Sequence, residues 1–89
     1  MTDLNDMNVK ALATLSGISV RTLHYYDEIG LLKPERTSSA YRVYGKHHVL
    51  RLQQILIQKS LGLSLSSIKS VLDDPQFDTL KALQSQKKI

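Results

Sequence analysis

The feature that most constrains the fold is a pair of short helical segments separated by only three residues. The first segment has the apolar spacing of one helical face: Val9, Leu12 and Ala13. Gly17 suits the end of this helix, because glycine readily adopts a positive φ. Ser19 has the side chain of an N-cap and predicts a second helix over residues 20 to about 29. Two helices joined by so short a turn predict a helix-turn-helix.

The predicted second helix divides into two sides at 3.6 residues per turn. One side predicts a core stripe: Val20, Leu23 and Tyr26. The other side is polar and carries Arg21, Thr22, His24, Tyr25 and Glu28. The major groove of DNA admits one helix with such donors, so this face is a candidate reader of DNA. Gly30 predicts a Schellman ending in which Leu31 folds back towards Tyr26.

A β-hairpin is predicted next, with short strands at residues 31–34 and 41–44 around the polar turn 35–40. Arg42 on the second strand is a candidate contact to the DNA backbone. Lys33 and Arg36 are interpreted as solvated charges of the hairpin.

Two further helices follow the hairpin. The longer covers residues 46–61, and Ser64 caps a shorter one that stops at Asp73-Asp74-Pro75. The final segment has apolar residues at the spacing of a coiled-coil seam, and these are candidate dimerisation residues: Phe77, Leu80 and Leu83.

Composition excludes several classes of protein. Eighty-nine residues favour one domain, and a formal charge of +4 favours a polyanionic partner. No cysteine is present, and His47 and His48 point about 100° apart on a helix, so no metal site is expected. No nucleophile elbow or glycine-rich phosphate loop occurs, which argues against an enzyme or a bound cofactor. Without a membrane span or a signal peptide, a cytoplasmic protein is expected.

Three separated stretches together resemble the N-terminal winged-helix domain of the MerR (mercury-resistance regulator) family of bacterial transcription regulators: residues 17–34, 41–44 and 61–65. The resemblance implies a mainly α fold, a winged helix-turn-helix of four helices and a short β-hairpin wing, followed by the start of a dimerisation helix. It divides the chain into a flexible tail (1–7), a DNA-binding domain (8–74) and a truncated coiled-coil start (75–89). Residues 74–78 also resemble the multidrug- and thiopeptide-responsive branch.

The resemblance further implies a homodimer that binds and distorts double-stranded promoter DNA for RNA polymerase. An effector ligand would bind a domain absent from this chain. The implied DNA contacts are Arg21, Tyr25, Tyr26, Tyr41, Arg42, Lys59, Ser64 and Leu65, and we add Ser19, Thr22 and His24 from the polar face. Two roles remain open: Tyr26 also lies on the core side of its helix, and Lys59 is equally well explained as a surface lysine.

Three positions depart from the family pattern. His24 stands where arginine is usual, which predicts DNA affinity that rises as the pH falls. Val43 replaces an aromatic residue, and residues 46–48 replace a commonly acidic helix start. Two alternative functions are also open: an excisionase-like factor that bends DNA, and a protein-interaction module that uses the C-terminal helix.

Overall fold

The computed structural model describes residues 7–77. Its elements are four α-helices and two short strands: α1 (Val9–Ser16), α2 (Val20–Glu28), β1 (Glu35–Arg36), β2 (Arg42–Val43), α3 (Lys46–Ser60) and α4 (Leu65–Leu72). The chain separates into two compact units, Met1–Val49 and Leu50–Ile89, and α3 runs through the boundary. The predicted fold class, mainly helical with a small wing, is confirmed. The described residues contain no helix long and apolar enough to cross a membrane.

The first unit contains the predicted helix-turn-helix. Gly17 ends α1 at a φ of 75°, and its N–H donates to the Ala13 carbonyl. The Ser19 hydroxyl accepts from the Thr22 N–H at 3.0 Å and so satisfies a donor at the start of α2. Leu12 and Leu23 are fully buried. Caps and core spacing therefore act as the sequence predicts.

The end of α2 is the predicted Schellman motif. Gly30 has a φ of 74°, and its N–H donates to the backbone carbonyl of Asp27. The Leu31 N–H donates to the backbone carbonyl of Tyr26 at 2.9 Å. This turn brings Leu31 and Leu32 into the core, where both are fully buried.

The wing differs from its prediction. Its first strand is β1, which lies within the expected turn, and not residues 31–34, because Leu31 and Leu32 belong to the core. Strand β1 pairs with β2 in antiparallel register, with Glu35 opposite Val43 and Arg36 opposite Arg42.

The described part of the first unit includes Met7, which the sequence analysis assigned to the flexible tail. Met7 forms an antiparallel bridge with Tyr44, through N–H to carbonyl distances of 2.9 and 2.7 Å, and it is buried. The side chain has an apolar surface to bury, and the paired backbone fixes its position. The rest of the expected tail, residues 1–6, lies outside the described residues.

In the second unit, Gly62 follows α3 at a φ of 92°, and Ser64 caps α4 by accepting from the Ser67 N–H at 3.1 Å. Within its described residues, 50–77, the unit buries four apolar side chains: Leu52, Ile55, Ile68 and Leu72. Gln54 is also buried, and its Nε2 has no hydrogen-bond partner among residues 7–77. The helical spacing of α3 alone does not predict this buried amide.

Candidate nucleic-acid interface

The polar side of α2 is presented to solvent. Arg21 is exposed and forms no ion pair within the described part of the chain. Tyr25, one turn later, is half exposed, and His24 is partly exposed. Ser19 and Thr22 share a hydroxyl hydrogen bond of 2.9 Å at the start of the helix. A guanidinium and a phenol exposed on one helical face can donate to phosphates or base edges.

Tyr26 occupies the core and is not part of this surface. Only 1% of the residue is exposed, and its hydroxyl oxygen is buried without a hydrogen-bond partner among residues 7–77. The expected phosphate contact is therefore wrong for this conformation, since a hydroxyl enclosed by protein cannot reach an external anion. The apolar stripe of α2, which contains Tyr26, decided its place.

The wing presents Tyr41 and Arg42 in different ways. Tyr41 is 73% exposed. Arg42 is partly buried, and its Nε donates to Asp27 Oδ2 at 3.1 Å. Its two terminal nitrogens have no hydrogen-bond partner among residues 7–77. The Asp27 bond fixes the guanidinium while leaving the end of its fork able to bind an anion.

Asp27 is the residue of the site that the sequence analysis missed. Its carboxylate is 10% exposed and meets three cations: Lys33 Nζ at 3.8 Å from Oδ1, and Arg36 Nη2 at 2.9 Å and Arg42 Nε at 3.1 Å from Oδ2. We call these four residues the Asp27 network. Lys33 and Arg36, with side chains 69% and 47% exposed, remain solvated charges of the hairpin that also pair with Asp27.

A signal for Asp27 was present in the sequence. Asp27 follows Leu23 by four residues and so lies on the core side of α2, where an unpaired carboxylate is costly. The basic residues of the following hairpin were the available partners.

His48 lies at the base of the wing and was not predicted to have a structural role. Its Nδ1 accepts from the Gly45 N–H at 2.8 Å, so Nε2 carries the proton and donates to the Lys33 carbonyl at 2.9 Å. Burial, followed by the charge of His47, lowers the pKa of His48. Burial also raises the pKa of the neighbouring Tyr44. The neutral imidazole thus ties the start of α3 to the segment before β1.

The predicted second contact region lies in the second unit. Lys59 is exposed on the last turn of α3 and forms no ion pair among the described residues. Ser64 is exposed, but its hydroxyl is engaged as the cap of α4, and Leu65 is partly exposed. These three residues stay candidate DNA contacts.

The predicted dimerisation seam falls largely outside the described residues. Leu80 and Leu83 lie beyond residue 77, while Phe77 is partly exposed and its N–H donates to the Asp74 carbonyl at 2.9 Å. Residues 7–77 contain no group of three or more His, Cys, Asp or Glu side chains that could hold a metal ion.

The comparison with protein families decides the class of the molecule. The model of the MerR HTH family of regulatory proteins matches residues 7–74. This chain belongs to that family. The family match spans the helix-turn-helix, the wing, α3 and α4, and so includes the whole candidate interface up to Asp74.

Individual family members show how close the relation is. The transcriptional activator mta of Bacillus subtilis is 52% identical over 82 residues, which is 91% of this chain and 32% of mta. The crystal structure of the regulator SkgA from Caulobacter crescentus has a TM-score of 0.84 at 46% identity and covers 96% of this chain and 62% of that chain. HiNmlR, a family regulator lacking the sensor domain and crystallised with promoter DNA, has a TM-score of 0.71 at 28% identity, covering 93% of this chain and 71% of its own.

This chain spans about a third of the length of the curated relatives it matches. These relatives are transcription regulators.

Proposed function

We propose that this chain is the DNA-binding part of a MerR-type transcription regulator, and that it binds and distorts promoter DNA as a homodimer. In this role α2 enters the major groove and the wing contacts the adjacent backbone. The observation that carries the proposal is the outer side of α2, where Arg21 is exposed without an ion pair among residues 7–77. A helix held at its start by a serine cap presents that guanidinium at a fixed angle.

The same proposal covers the protein's partners. RNA polymerase at the promoter is the macromolecular partner, a second copy of the chain completes the dimer, and an effector ligand binds residues outside this chain. The protein acts in the bacterial cytoplasm, without a cofactor of its own and without catalysing a reaction. The promoter DNA bound to HiNmlR supports the DNA partner, and the names of the relatives support the regulatory role.

The division of the chain is part of the proposal. Residues 8–74 form the DNA-binding domain, to which the structure suggests adding Met7. Residues 75–89 begin the dimerisation helix, with Phe77, Leu80 and Leu83 on its seam.

A selection from random DNA duplexes tests the function directly. The purified chain should enrich one duplex sequence, and footprinting on genomic DNA should then protect the spacer of a promoter. Protection of a recombination site would support a DNA-bending factor instead. No protection, together with capture of a partner protein that depends on Phe77 and Leu80, would support the interaction module.

Two alanine variants separate reading of bases from contact with the backbone. Arg21→Ala should weaken binding to the enriched duplex by about tenfold or more and relax its sequence preference, because each bidentate base contact contributes about 1–3 kcal/mol. Arg42→Ala should weaken all duplexes alike and flatten the dependence of log affinity on log salt by about one unit, as loss of one phosphate contact does. Equal loss of sequence preference in both variants would contradict these roles.

A further inference from the structure

We propose that Asp27 is a positioning residue for DNA binding: its carboxylate holds the wing arginines Arg36 and Arg42 in the orientation in which they meet phosphates. The inference rests on the proposed function and adds to it a residue that itself touches no DNA. It assigns a negative charge a supporting role inside a surface that binds a polyanion.

The geometry of the Asp27 network supports this role. Both arginines donate to the same oxygen, Oδ2, although they come from different strands of the wing. Asp27 lies on the last turn of α2, the helix that carries Arg21. One buried carboxylate thus connects the helix proposed to enter the groove with both strands of the wing.

The exposed fraction of the side chain increases from Asp27 to the two arginines of the network. The side chain of Asp27 is 10% exposed, that of Arg42 is 31% exposed and that of Arg36 is 47% exposed. The carboxylate is therefore enclosed while the cationic ends reach towards solvent. A phosphate approaching the wing meets the arginines before it comes near the acidic group.

The way Arg42 is bound leaves its contact group available. It reaches Asp27 through Nε, and its terminal nitrogens have no partner among residues 7–77. A guanidinium is planar, so fixing Nε also fixes the direction of the other N–H bonds. An arginine already ordered before binding loses less rotamer freedom when it meets a phosphate.

The charges predict an outcome that simple electrostatics would not give. The network contains one negative and three positive groups. Replacing Asp27 with the neutral asparagine makes the surface more positive, which by itself strengthens binding to any DNA. If Asp27 positions the arginines, the same substitution should instead weaken binding to the preferred duplex.

The experiment measures the affinity of Asp27→Asn for the enriched duplex and for an unrelated duplex, at one salt concentration. We expect affinity for the preferred duplex to fall about tenfold, an order of magnitude typical of ordering two flexible side chains. Affinity for the unrelated duplex should fall by a similar factor, because both arginines meet phosphates, which every duplex carries. Asp27→Glu, which keeps the carboxylate, should recover part of the loss.

Glu28→Gln is the matched control. Glu28 is the next residue of α2, is exposed and forms no ion pair among the described residues. Its substitution removes the same charge, so both affinities should rise slightly and together.

A second comparison tests whether Asp27 acts through the arginines. In a chain that carries Arg36→Gln and Arg42→Gln, adding Asp27→Asn should cause no further loss of affinity for the preferred duplex. A tenfold further loss would overturn the inference, and so would equal gains on both duplexes from Asp27→Asn alone.

A loss of binding must be distinguished from a loss of folding. Circular dichroism must show Asp27→Asn folded at the temperature of the binding assay. If it is unfolded, Arg42→Lys asks the same question, because lysine keeps the charge but lacks Nε: a loss on both duplexes supports the inference, and no loss overturns it. A wild-type chain without any preferred duplex overturns the proposed function and the inference together, whereas a preferred duplex that all these variants bind as tightly as the wild-type chain overturns the inference alone.

Discussion

Two carboxylates, one in each compact unit, collect several cations but differ in burial. Asp27 in the first unit is 10% exposed and meets three cations of the wing and the segment before it. Asp73 in the second unit is 44% exposed and meets two, Lys69 at 2.6 Å and Arg51 at 2.8 Å. We call Asp73 with these two partners the Asp73 network.

The two networks differ in how water can solvate the carboxylate when its cationic partners are removed. Water can solvate Asp73 when its partners leave, because nearly half of its side chain is already exposed. Asp27 has little water to return to, so it depends on its partners. Arg51 also donates to the Leu72 carbonyl at 3.2 Å and so closes the end of α4, a local task. The Asp27 network instead joins α2 to the wing. Burial, more than the number of ion pairs, decides which network organises the candidate interface.

Substitution of each carboxylate by alanine should give the largest difference between the two regions. Asp27→Ala should lower the free energy of unfolding by about 2 kcal/mol. This loss is smaller than the cost of removing one partner from a fully buried ion pair, because the cations around Asp27 can turn to solvent. Asp73→Ala should cost about 0.5 kcal/mol. Urea denaturation followed by circular dichroism measures both losses of stability. Amide exchange at Thr37, whose N–H donates to the Tyr41 carbonyl within the wing, shows whether Asp27→Ala loosens the wing. Equal losses would remove the distinction drawn from burial.

The two serine caps should respond alike in both regions. Ser19→Ala and Ser64→Ala each remove a hydroxyl that accepts from a backbone N–H three residues later. Each should lower stability by about 1 kcal/mol, the usual cost of an N-cap. Ser70→Ala, on the exposed side of α4, is the control and should change stability by less than about 0.5 kcal/mol. A cap loss several times larger in one unit would show that more than the cap separates the regions.

Acidification should produce the smallest effect and should destabilise the first unit at a higher pH than the second. The pKa of His48 is lowered by burial and by the charge of His47. The contribution of His48 to stability is therefore complete above the ordinary pKa of 6.5 and is lost as the pH falls below it. The slope should stay well below the limit of about 1.4 kcal/mol per pH unit set by one proton. Groups near the ring include Glu35, which favours the charged form, and the rings of Tyr44 and His47.

The Asp73 network should lose its contribution at a lower pH. Hydrogen bonds from Lys69 and Arg51 lower the pKa of Asp73, so its contribution persists above the ordinary value of 3.8 and is lost as the pH falls further. Amide exchange at Gly45 and at Asp73 over a range from about pH 7 to about pH 3 separates the two windows. His48→Asn should abolish the acid-induced loss of protection at Gly45, while His24→Gln, on the outer side of α2, should keep it. Simultaneous loss at both amides would show that neither group controls its own region.

Local chemistry made most of the helices predictable. The sequence places glycine where the chain needs a positive φ and serine where a helix needs a cap, and both effects act over only a few residues. The start of α2 at Val20 and the Schellman turn at Gly30 followed from this chemistry. Arg21 and Tyr25 were found for the same reason, since helical periodicity decides which side chains share a face.

The parts that were missed depend on contacts distant in sequence. The first strand was misplaced because Leu31 and Leu32 were read as strand residues but are held in the core by the end of α2. The buried Gln54 has no local signal that separates it from an exposed glutamine. Asp27 meets Arg42 fifteen residues away, and no rule of short range specifies that pairing.

The amino-acid sequence by itself determined the helix-turn-helix, the family to which the chain belongs and the polar face of α2, because these rest on spacing and on caps within a few residues. Only the tertiary structure decided that Tyr26 is enclosed, that Met7 pairs with Tyr44, and that one carboxylate gathers the cations of the wing. Burial and long-range pairing arise when segments pack together, and they set whether a polar group meets solvent, a partner or neither.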